Sequence, residues 1–151
     1  PTKYICLTGG EPLGQESIYG LMDLLLEKKY TISLETGGGF STKKVPKAIT
    51  KILDLKCPDS GESKSMVWEN LEDLNSGDQV KFVIASKNDF EWAESIVEKH
   101  NLASKTTCLI SPVFNKVSLK ETAEWILASR QPFTLQTQLH KIIWGENLRG
   151  V

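Results

Sequence analysis

The sequence predicts an α/β fold built on a parallel sheet, and three observations support this. Short apolar runs alternate with amphipathic segments, and polar residues follow the end of each run. Alternation of this kind gives parallel strands joined by right-handed crossovers. With 151 residues, 40% of them hydrophobic and 25% charged, the chain suits one globular domain. Because ligands of such folds bind at the carboxyl ends of the strands, the polar residues there are the candidates for a site.

Six strands and four helices are predicted from the periodicity of the apolar residues. The strands are predicted at residues 4–7, 31–34, 52–53, 80–84, 107–110 and 133–135. The helices are predicted at residues 15–28, 65–74, 89–100 and 118–129. In the first helix, Ile18, Leu21, Met22 and Leu25 follow helical spacing.

The turn after the first strand reads Thr-Gly-Gly-Glu-Pro over residues 8–12. Two glycines let the backbone approach a ligand closely, and Glu11 adds a carboxylate at the same place. In isolation the motif equally fits an ordinary strand-to-helix turn, since Gly and Pro favour turns. The recurrence of polar strand ends along the chain favours a site instead.

The chain resembles the radical S-adenosylmethionine (radical SAM) enzymes, and within them the 7-carboxy-7-deazaguanine synthases of queuosine biosynthesis. The resemblance is carried by residues 8–12 (TGGEP), 35–37 (ETG), 54–58 (DLKCP) and 135–145 (LQTQLHKIIWG), with the ending RGV at 149–151. It implies a partial (βα)6 barrel of parallel strands. It also implies a lyase that contracts the ring of 6-carboxy-5,6,7,8-tetrahydropterin by radical chemistry, with loss of ammonia.

The resemblance also implies which residues bind the cofactor and the substrate. An ammonium group such as that of S-adenosylmethionine is well matched by backbone carbonyls and a carboxylate at the glycine loop. Glu35 is expected to accept both ribose hydroxyls, and Lys56 to offset a carboxylate of cofactor or substrate. The expected cofactor-binding residues are Gly9, Gly10, Glu11, Glu35, Asp54, Leu55, Lys56 and Ser111. The expected substrate-binding residues are Thr8, Gln138, His140 and Val151, the last through its terminal carboxylate.

Plainer roles stay open for several of these residues. Glu35 also fits a surface carboxylate near a turn, and Lys56 an ordinary salt bridge. Ser111 also fits a strand-ending turn, and His140 a helix start. No catalytic residue and no metal ligand is expected within this chain.

The cysteines do not follow the pattern of the family. Radical SAM enzymes hold a 4Fe-4S cluster on three cysteines in one short loop, whereas this chain has Cys6, Cys57 and Cys108, far apart in sequence. Cys6 and Cys108 are predicted to be buried thiols within strands, and Cys57 to lie near the mouth of the sheet. We therefore expect the ligands of the cluster and of a Mg2+ ion to lie upstream of this chain. Residues 1–151 would then form a single domain, the carboxy-terminal part of the barrel without its first strand and cluster loop.

Net charge and cysteine count indicate which partners and which cellular compartment to expect. A net charge of −1 gives no reason to expect nucleic acid or a membrane surface as a partner. An odd number of cysteines fits a reducing compartment, so a cytoplasmic location is expected. The family resemblance adds a small-molecule pterin substrate and a homodimer.

Three other functions stay open at this point. The chain also fits a cluster-free module that binds S-adenosylmethionine and pterin, or an activase for glycyl-radical enzymes, which shares the Gly-Gly-Glu-Pro motif. An unrelated α/β barrel enzyme is the third, with residues 37–39 (Gly-Gly-Gly) forming an anion nest for phosphate.

Overall fold

A computed structural model describes residues 2–145 and shows one parallel sheet. Its strands are β1 (Tyr4–Leu7), β2 (Thr31–Thr36), β3 (Thr50–Leu55), β4 (Gln79–Ile84), β5 (Thr107–Pro112) and β6 (Phe133–Leu135). They lie side by side in chain order, and every neighbouring pair is parallel. Within residues 2–145, β1 and β6 each pair on one side only, so the sheet is open. This confirms the predicted α/β class and a partial barrel.

Four α-helices accompany the strands: α1 (Ile18–Glu27), α2 (Lys87–Lys99), α3 (Leu119–Ala128) and α4 (Leu139–Trp144). Three of the predicted helices correspond to α1, α2 and α3. Ser118 begins α3 with a reciprocal capping box to Glu121, the arrangement expected of Ser followed three residues later by Glu. Ser86 caps α2 by accepting a hydrogen bond from the Asp89 backbone N–H.

The predicted helix at residues 65–74 is wrong. That segment holds two 3-10 turns instead, Ser63–Ser65 and Trp68–Leu71. The backbone N–H of Val67 bonds to the carbonyl of Gly38, 2.8 Å away, and the Asn70 side chain bonds to the same distant loop. The segment is thus tied to a distant loop, and its own backbone bonds join residues three apart, such as the Asn70 N–H and the Val67 carbonyl.

Four strands extend further than predicted, β4 by the single residue Gln79 and β2, β3 and β5 by two or more residues. Sheet pairing includes Thr36 with Leu53, Asp54 with Lys81, and Val83 with Ser111. Polar residues remain in the ladder because alternate side chains of a strand point to opposite faces. Asp54 and Ser111 therefore lie within strands and not after them.

The two faces of the sheet differ in character. On the helix-covered face, side chains such as Leu34, Leu53 and Phe82 are buried and pack in two hydrophobic clusters. On the opposite face, which we call the open face, the alternate positions include Glu35, Asp54 and Lys81, all partly exposed. The alternation places charged groups of three neighbouring strands on one surface.

Buried polar contacts cover the part of the helix-side face that lacks a crossover α-helix. Lys51 on β3 is 1% exposed, and its ammonium lies 3.2 Å from an oxygen of Asp78 and 2.9 Å from the Asp73 carbonyl. The backbone N–H of Lys51 donates to Asp78 at 2.7 Å. The connection from β3 to β4 is thus fixed to β3 by a buried ion pair and its hydrogen bonds.

The cysteines are distributed across the sheet. Cys57 and Cys108 are buried, as predicted for Cys108, whereas Cys6 is exposed, contrary to the prediction. Cys6 is exposed because its position on β1 falls in register with Ser33, on the open face. Among residues 2–145 no helix has the length and hydropathy needed to cross a membrane.

Candidate functional site

A cavity of about 260 Å3 lies where β1, β2, β3 and β4 present their open face and carboxyl ends. It is lined by Thr8, Gly10, Glu11, Glu35, Thr36, Gly37, Asp54, Lys56 and Lys81, and we call it the charged cavity. The first two strand-end motifs, the glycine loop and the Glu-Thr-Gly segment, thus meet in one place. This is the convergence that a parallel sheet requires.

The glycine loop takes a conformation that most residues avoid. Gly9 and Gly10 have φ angles of +93° and +55°, in the region that favours glycine. Both are exposed, and a Cβ at either position would meet no other atom within 4 Å. The glycines are therefore required by backbone conformation, and they leave the loop open to solvent.

Glu11 fixes the loop to the neighbouring strand. One carboxylate oxygen accepts hydrogen bonds from the Leu13 N–H at 3.1 Å and the Thr36 hydroxyl at 2.8 Å, and the other accepts from the Gly37 N–H at 2.8 Å. All three donors are neutral, so the negative charge of Glu11 is retained in the cavity wall. The carboxylate thus holds two loops together and contributes charge at once.

The Gly37 loop does not form an anion nest for phosphate. The Gly37 N–H already donates to Glu11, and the Gly38 N–H donates to the Thr36 hydroxyl at 3.3 Å. An internal carboxylate therefore takes the place that an external anion would need.

Two lysines and two further carboxylates complete the cavity. The Lys56 ammonium lies 2.9 Å from one oxygen of Asp54, with side-chain exposures of 33% and 20%. The Lys81 ammonium reaches across β3 to lie 3.7 Å from an oxygen of Glu35. With Glu11 included, three carboxylates face two ammonium groups, so the cavity lining carries a net charge of −1.

A second cavity of about 360 Å3 adjoins the first and shares Asp54 and Lys56 with it. Its lining includes Leu55, the buried Cys57 and the buried Asp89. Asp89 is held by the backbone N–H groups of Asp59 and Ala85, at 3.0 and 2.9 Å. Burial, with the nearby Asp89 carboxylate, raises the pKa of the Cys57 thiol to about 12. Cys57 is therefore a neutral thiol near the mouth and not a thiolate ligand.

The remaining predicted site residues lie elsewhere. Ser111 is buried on β5, beside Val83 of β4, and lines neither of these cavities. Gln138 and His140 lie at the start of α4, beyond β6, and Gln138 lines a separate cavity of about 450 Å3. Strands are spaced about 4.8 Å apart, so β6 lies roughly 14 Å from β3 across the sheet. The structure does not bring these residues to the charged cavity, and Val151 lies outside the described residues.

The predicted site residues do not include three residues that line the cavity: Thr36, Gly37 and Lys81. The signal for Lys81 was a single lysine among apolar residues in a predicted strand, where period-2 alternation puts it opposite the core. Thr36 is 2% exposed and joins Glu11 to Gly38 through its hydroxyl. Nothing local in the sequence identifies that role.

The residues present do not fit an iron–sulfur cluster. In residues 2–145 no group of three or more His, Cys, Asp or Glu side chains is arranged to hold a metal ion. Cys6 on β1 and Cys108 on β5 are separated by about 19 Å of sheet and point to different faces. A cluster needs several thiolates within a few ångströms, so these three thiols cannot share one.

Comparison with known proteins identifies relatives along nearly the whole chain. The 7-carboxy-7-deazaguanine synthase of Chlorobaculum tepidum is 36% identical, covering 96% of this chain and 67% of that protein. The synthases of Koribacter versatilis and Clostridium acetobutylicum are 36% and 38% identical, covering 100% and 99% of this chain and 73% and 70% of those proteins. No protein-family model matches the chain.

Solved structures share the fold at low sequence identity. Streptococcus suis SuiB bound to S-adenosylmethionine matches with a TM-score of 0.59 at 16% identity, over 89% of this chain and 38% of SuiB. Another SuiB structure matches with a TM-score of 0.57 at 14% identity, over 98% of this chain. This likeness shows that the chain shares its fold with part of SuiB.

Proposed function

This chain belongs to the 7-carboxy-7-deazaguanine synthase family, and we propose that its charged cavity binds S-adenosylmethionine for the radical ring contraction of a carboxylated tetrahydropterin. The observation that carries the proposal is the match between the cavity and the ligand. S-Adenosylmethionine bears a sulfonium, an ammonium and one carboxylate, hence a net charge of +1. The cavity lining carries −1, from three carboxylates and two ammonium groups on neighbouring elements.

The methionine end of the ligand fits the part of the cavity near the glycine loop. Gly9 and Gly10 hold a backbone turn open to solvent, and Glu11 keeps its charge uncompensated by a cation. An ammonium group there gains backbone carbonyls as acceptors and a carboxylate nearby. Lys56, only one-third exposed, would face the ligand carboxylate from its bridge to Asp54.

The ribose of S-adenosylmethionine is proposed to bind the Glu35 carboxylate. Its side chain is 41% exposed, and its only ion pair among the described residues is the long one with Lys81. A carboxylate can accept two parallel hydrogen bonds, and a pair of ribose hydroxyls supplies them. Thr8, on the rim of the same cavity, would face the substrate.

When bound, a reduced 4Fe-4S cluster supplies the electron that cleaves the cofactor. Its ligands, and that of a Mg2+ ion, are proposed to lie upstream of this chain. What the described residues contribute is placement: they bind the cofactor, orient its two ends and surround it with fixed charge. The homodimer stays a prediction of the family resemblance. The cytoplasmic location stays a prediction from the cysteine count, and the lack of a nucleic-acid partner one from the net charge.

The proposal is tested by Glu35→Ala in the complete, cluster-bearing enzyme. Losing charge-assisted hydrogen bonds worth about 1.5–3 kcal/mol should weaken S-adenosylmethionine binding roughly 10- to 150-fold. Calorimetric titration measures the affinity directly. The matched control is Glu16→Ala, which removes an 85% exposed carboxylate outside the cavity and should leave the affinity unchanged. If Glu35→Ala and Glu16→Ala bind equally well, the cavity does not hold the ribose as proposed.

A further inference from the structure

We propose that Lys81 is a ligand-binding residue that receives a carboxylate in the charged cavity. The inference rests on the proposed function, because it concerns the ligands of the same cavity. It adds a specificity determinant: one ligand must present an anionic group deep on the open face of β4.

The first observation is that the Lys81 side chain is largely enclosed, while its ammonium is poorly satisfied by the described residues. Its side chain is only 17% exposed, and its one ion pair among the described residues is to Glu35 at 3.7 Å. That distance is too long for a hydrogen bond, whose heavy atoms lie about 2.7–3.2 Å apart. An ammonium group has three donors and no acceptor, and enclosed donors normally find partners. The Lys56 ammonium, by contrast, is bonded to Asp54 at 2.9 Å.

The second observation is an enclosed acceptor beside it. Asp54 and Lys81 are register partners on β3 and β4, yet Asp54 directs Oδ2 to Lys56 instead. Its other oxygen, Oδ1, is inaccessible to solvent and has no hydrogen-bond partner in the part of the chain that the structure describes. Asp54 therefore gives the neighbouring Lys81 ammonium no hydrogen bond, and that ammonium is left as a donor in the cavity.

The Lys81 ammonium defines the chemistry of the ligand. A carboxylate satisfies this ammonium through charge-assisted hydrogen bonds. Lys81 lies three residues before the end of β4 at Ile84, about 10 Å below the strand's carboxyl end. A group that reaches it has to extend into the cavity. Both the carboxylated pterin and S-adenosylmethionine carry a carboxylate, so the carboxylate is the chemistry that the two ligands share.

The test pairs removal of the ammonium with removal of the ligand carboxylate, in the complete enzyme. Lys81→Met keeps most of the side-chain stem and removes the charge, while Lys81→Arg keeps the charge. Four probes are titrated: 6-carboxy-tetrahydropterin, tetrahydropterin without the carboxyl group, S-adenosylmethionine and decarboxylated S-adenosylmethionine. The control is Lys44→Met, which removes a 69% exposed lysine outside the cavity. Thermal unfolding of each variant reports on folding.

Lys81→Met should weaken binding of the carboxylated member of one pair, or of both pairs, about 10- to 100-fold, the effect of a lost charge-assisted bond. Its decarboxylated partner should be affected less than threefold. The pair that responds identifies whether substrate or cofactor supplies the carboxylate, and Lys81→Arg should retain most of the affinity. If Lys81→Met weakens binding of the carboxylated and the decarboxylated member of each pair equally, or weakens neither, the assignment of Lys81 is overturned. Failure of the unsubstituted enzyme to bind S-adenosylmethionine would instead refute the proposed function.

Discussion

Asn70 gives the most quantitative test of how the charged cavity is supported. The residue is 2% exposed, and its amide uses its full hydrogen-bonding capacity. Oδ1 accepts from the Thr42 N–H at 2.9 Å and from the Thr42 hydroxyl at 3.3 Å. Nδ2 donates to the carbonyls of Gly38 and Phe40, at 3.4 and 2.9 Å. One side chain thus fixes alternate residues of the loop that follows Gly37, whose own N–H is held by Glu11.

The perturbation is Asn70→Asp. It keeps the shape of the side chain and the oxygen that accepts two hydrogen bonds from Thr42, but it removes the two N–H donors of Nδ2. The Gly38 carbonyl retains the Val67 N–H as a partner, whereas the Phe40 carbonyl loses the bond that Asn70 gave it. One unsatisfied buried carbonyl costs about 1–3 kcal/mol, and a carboxylate facing it adds more, so we expect a loss of about 3 kcal/mol. For a chain of this size about 1 kcal/mol shifts Tm by roughly 2–4 °C, which gives a decrease of about 6–12 °C.

Thermal and urea unfolding measure the effect, and a pH series sharpens it. The introduced carboxyl would be buried without a cation, so its pKa in the folded state should exceed that in the unfolded chain. The folded state then binds the proton more tightly. The stability deficit is accordingly largest near neutral pH and shrinks as the pH falls toward the pKa of the folded carboxyl.

The control is Asn75→Asp. Asn75 is exposed and accepts a hydrogen bond from the Gly77 N–H at 3.0 Å, a role that aspartate can keep. It should change the free energy of unfolding by less than about 0.5 kcal/mol. Equal destabilisation by the two substitutions, or a deficit at Asn70 that does not depend on pH, would refute the assignment of Asn70 as the clamp of this loop.

Two further predictions concern the buried ion pair and the thiols. Lys51→Met should lower the free energy of unfolding by about 3–5 kcal/mol in urea titrations, because it leaves the 1% exposed Asp78 side chain without its cation. A change below about 1 kcal/mol would show that the Lys51–Asp78 ion pair does not stabilise the fold. Alkylation with iodoacetamide at pH 8, followed by mass spectrometry, should label the exposed Cys6 in the folded protein and spare the other two cysteines. Burial raises the pKa of Cys57 to about 12 and that of Cys108 to about 11, so their thiolate fractions stay very small. Rapid labelling of Cys108 before unfolding would contradict its placement.

The sequence by itself determined the fold class and the approximate positions of the six strands. Alternating polarity is a local property, so residues 4–7 and 80–84 could be assigned as strands without knowledge of their neighbours. The Gly9-Gly10 turn could likewise be predicted, because glycine takes positive φ angles more readily than any other residue. The resemblance to a known family added predicted ligand-binding residues, of which Thr8, Gly10, Glu11, Glu35, Asp54 and Lys56 meet in one cavity.

Only the tertiary structure decided which of these groups are already engaged and which are left for a ligand. Glu11 is held by residues about 25 positions away, and Asn70 by a loop about 30 positions away. Such bonds depend on strand register and loop packing, which no local pattern encodes. The segment at 65–74, which is tied to this loop, forms 3-10 turns and not the predicted helix. The closeness of Lys81 to Glu35 has the same origin: the two are 46 positions apart in the chain, and only the parallel pairing of β2, β3 and β4 brings their side chains to one face.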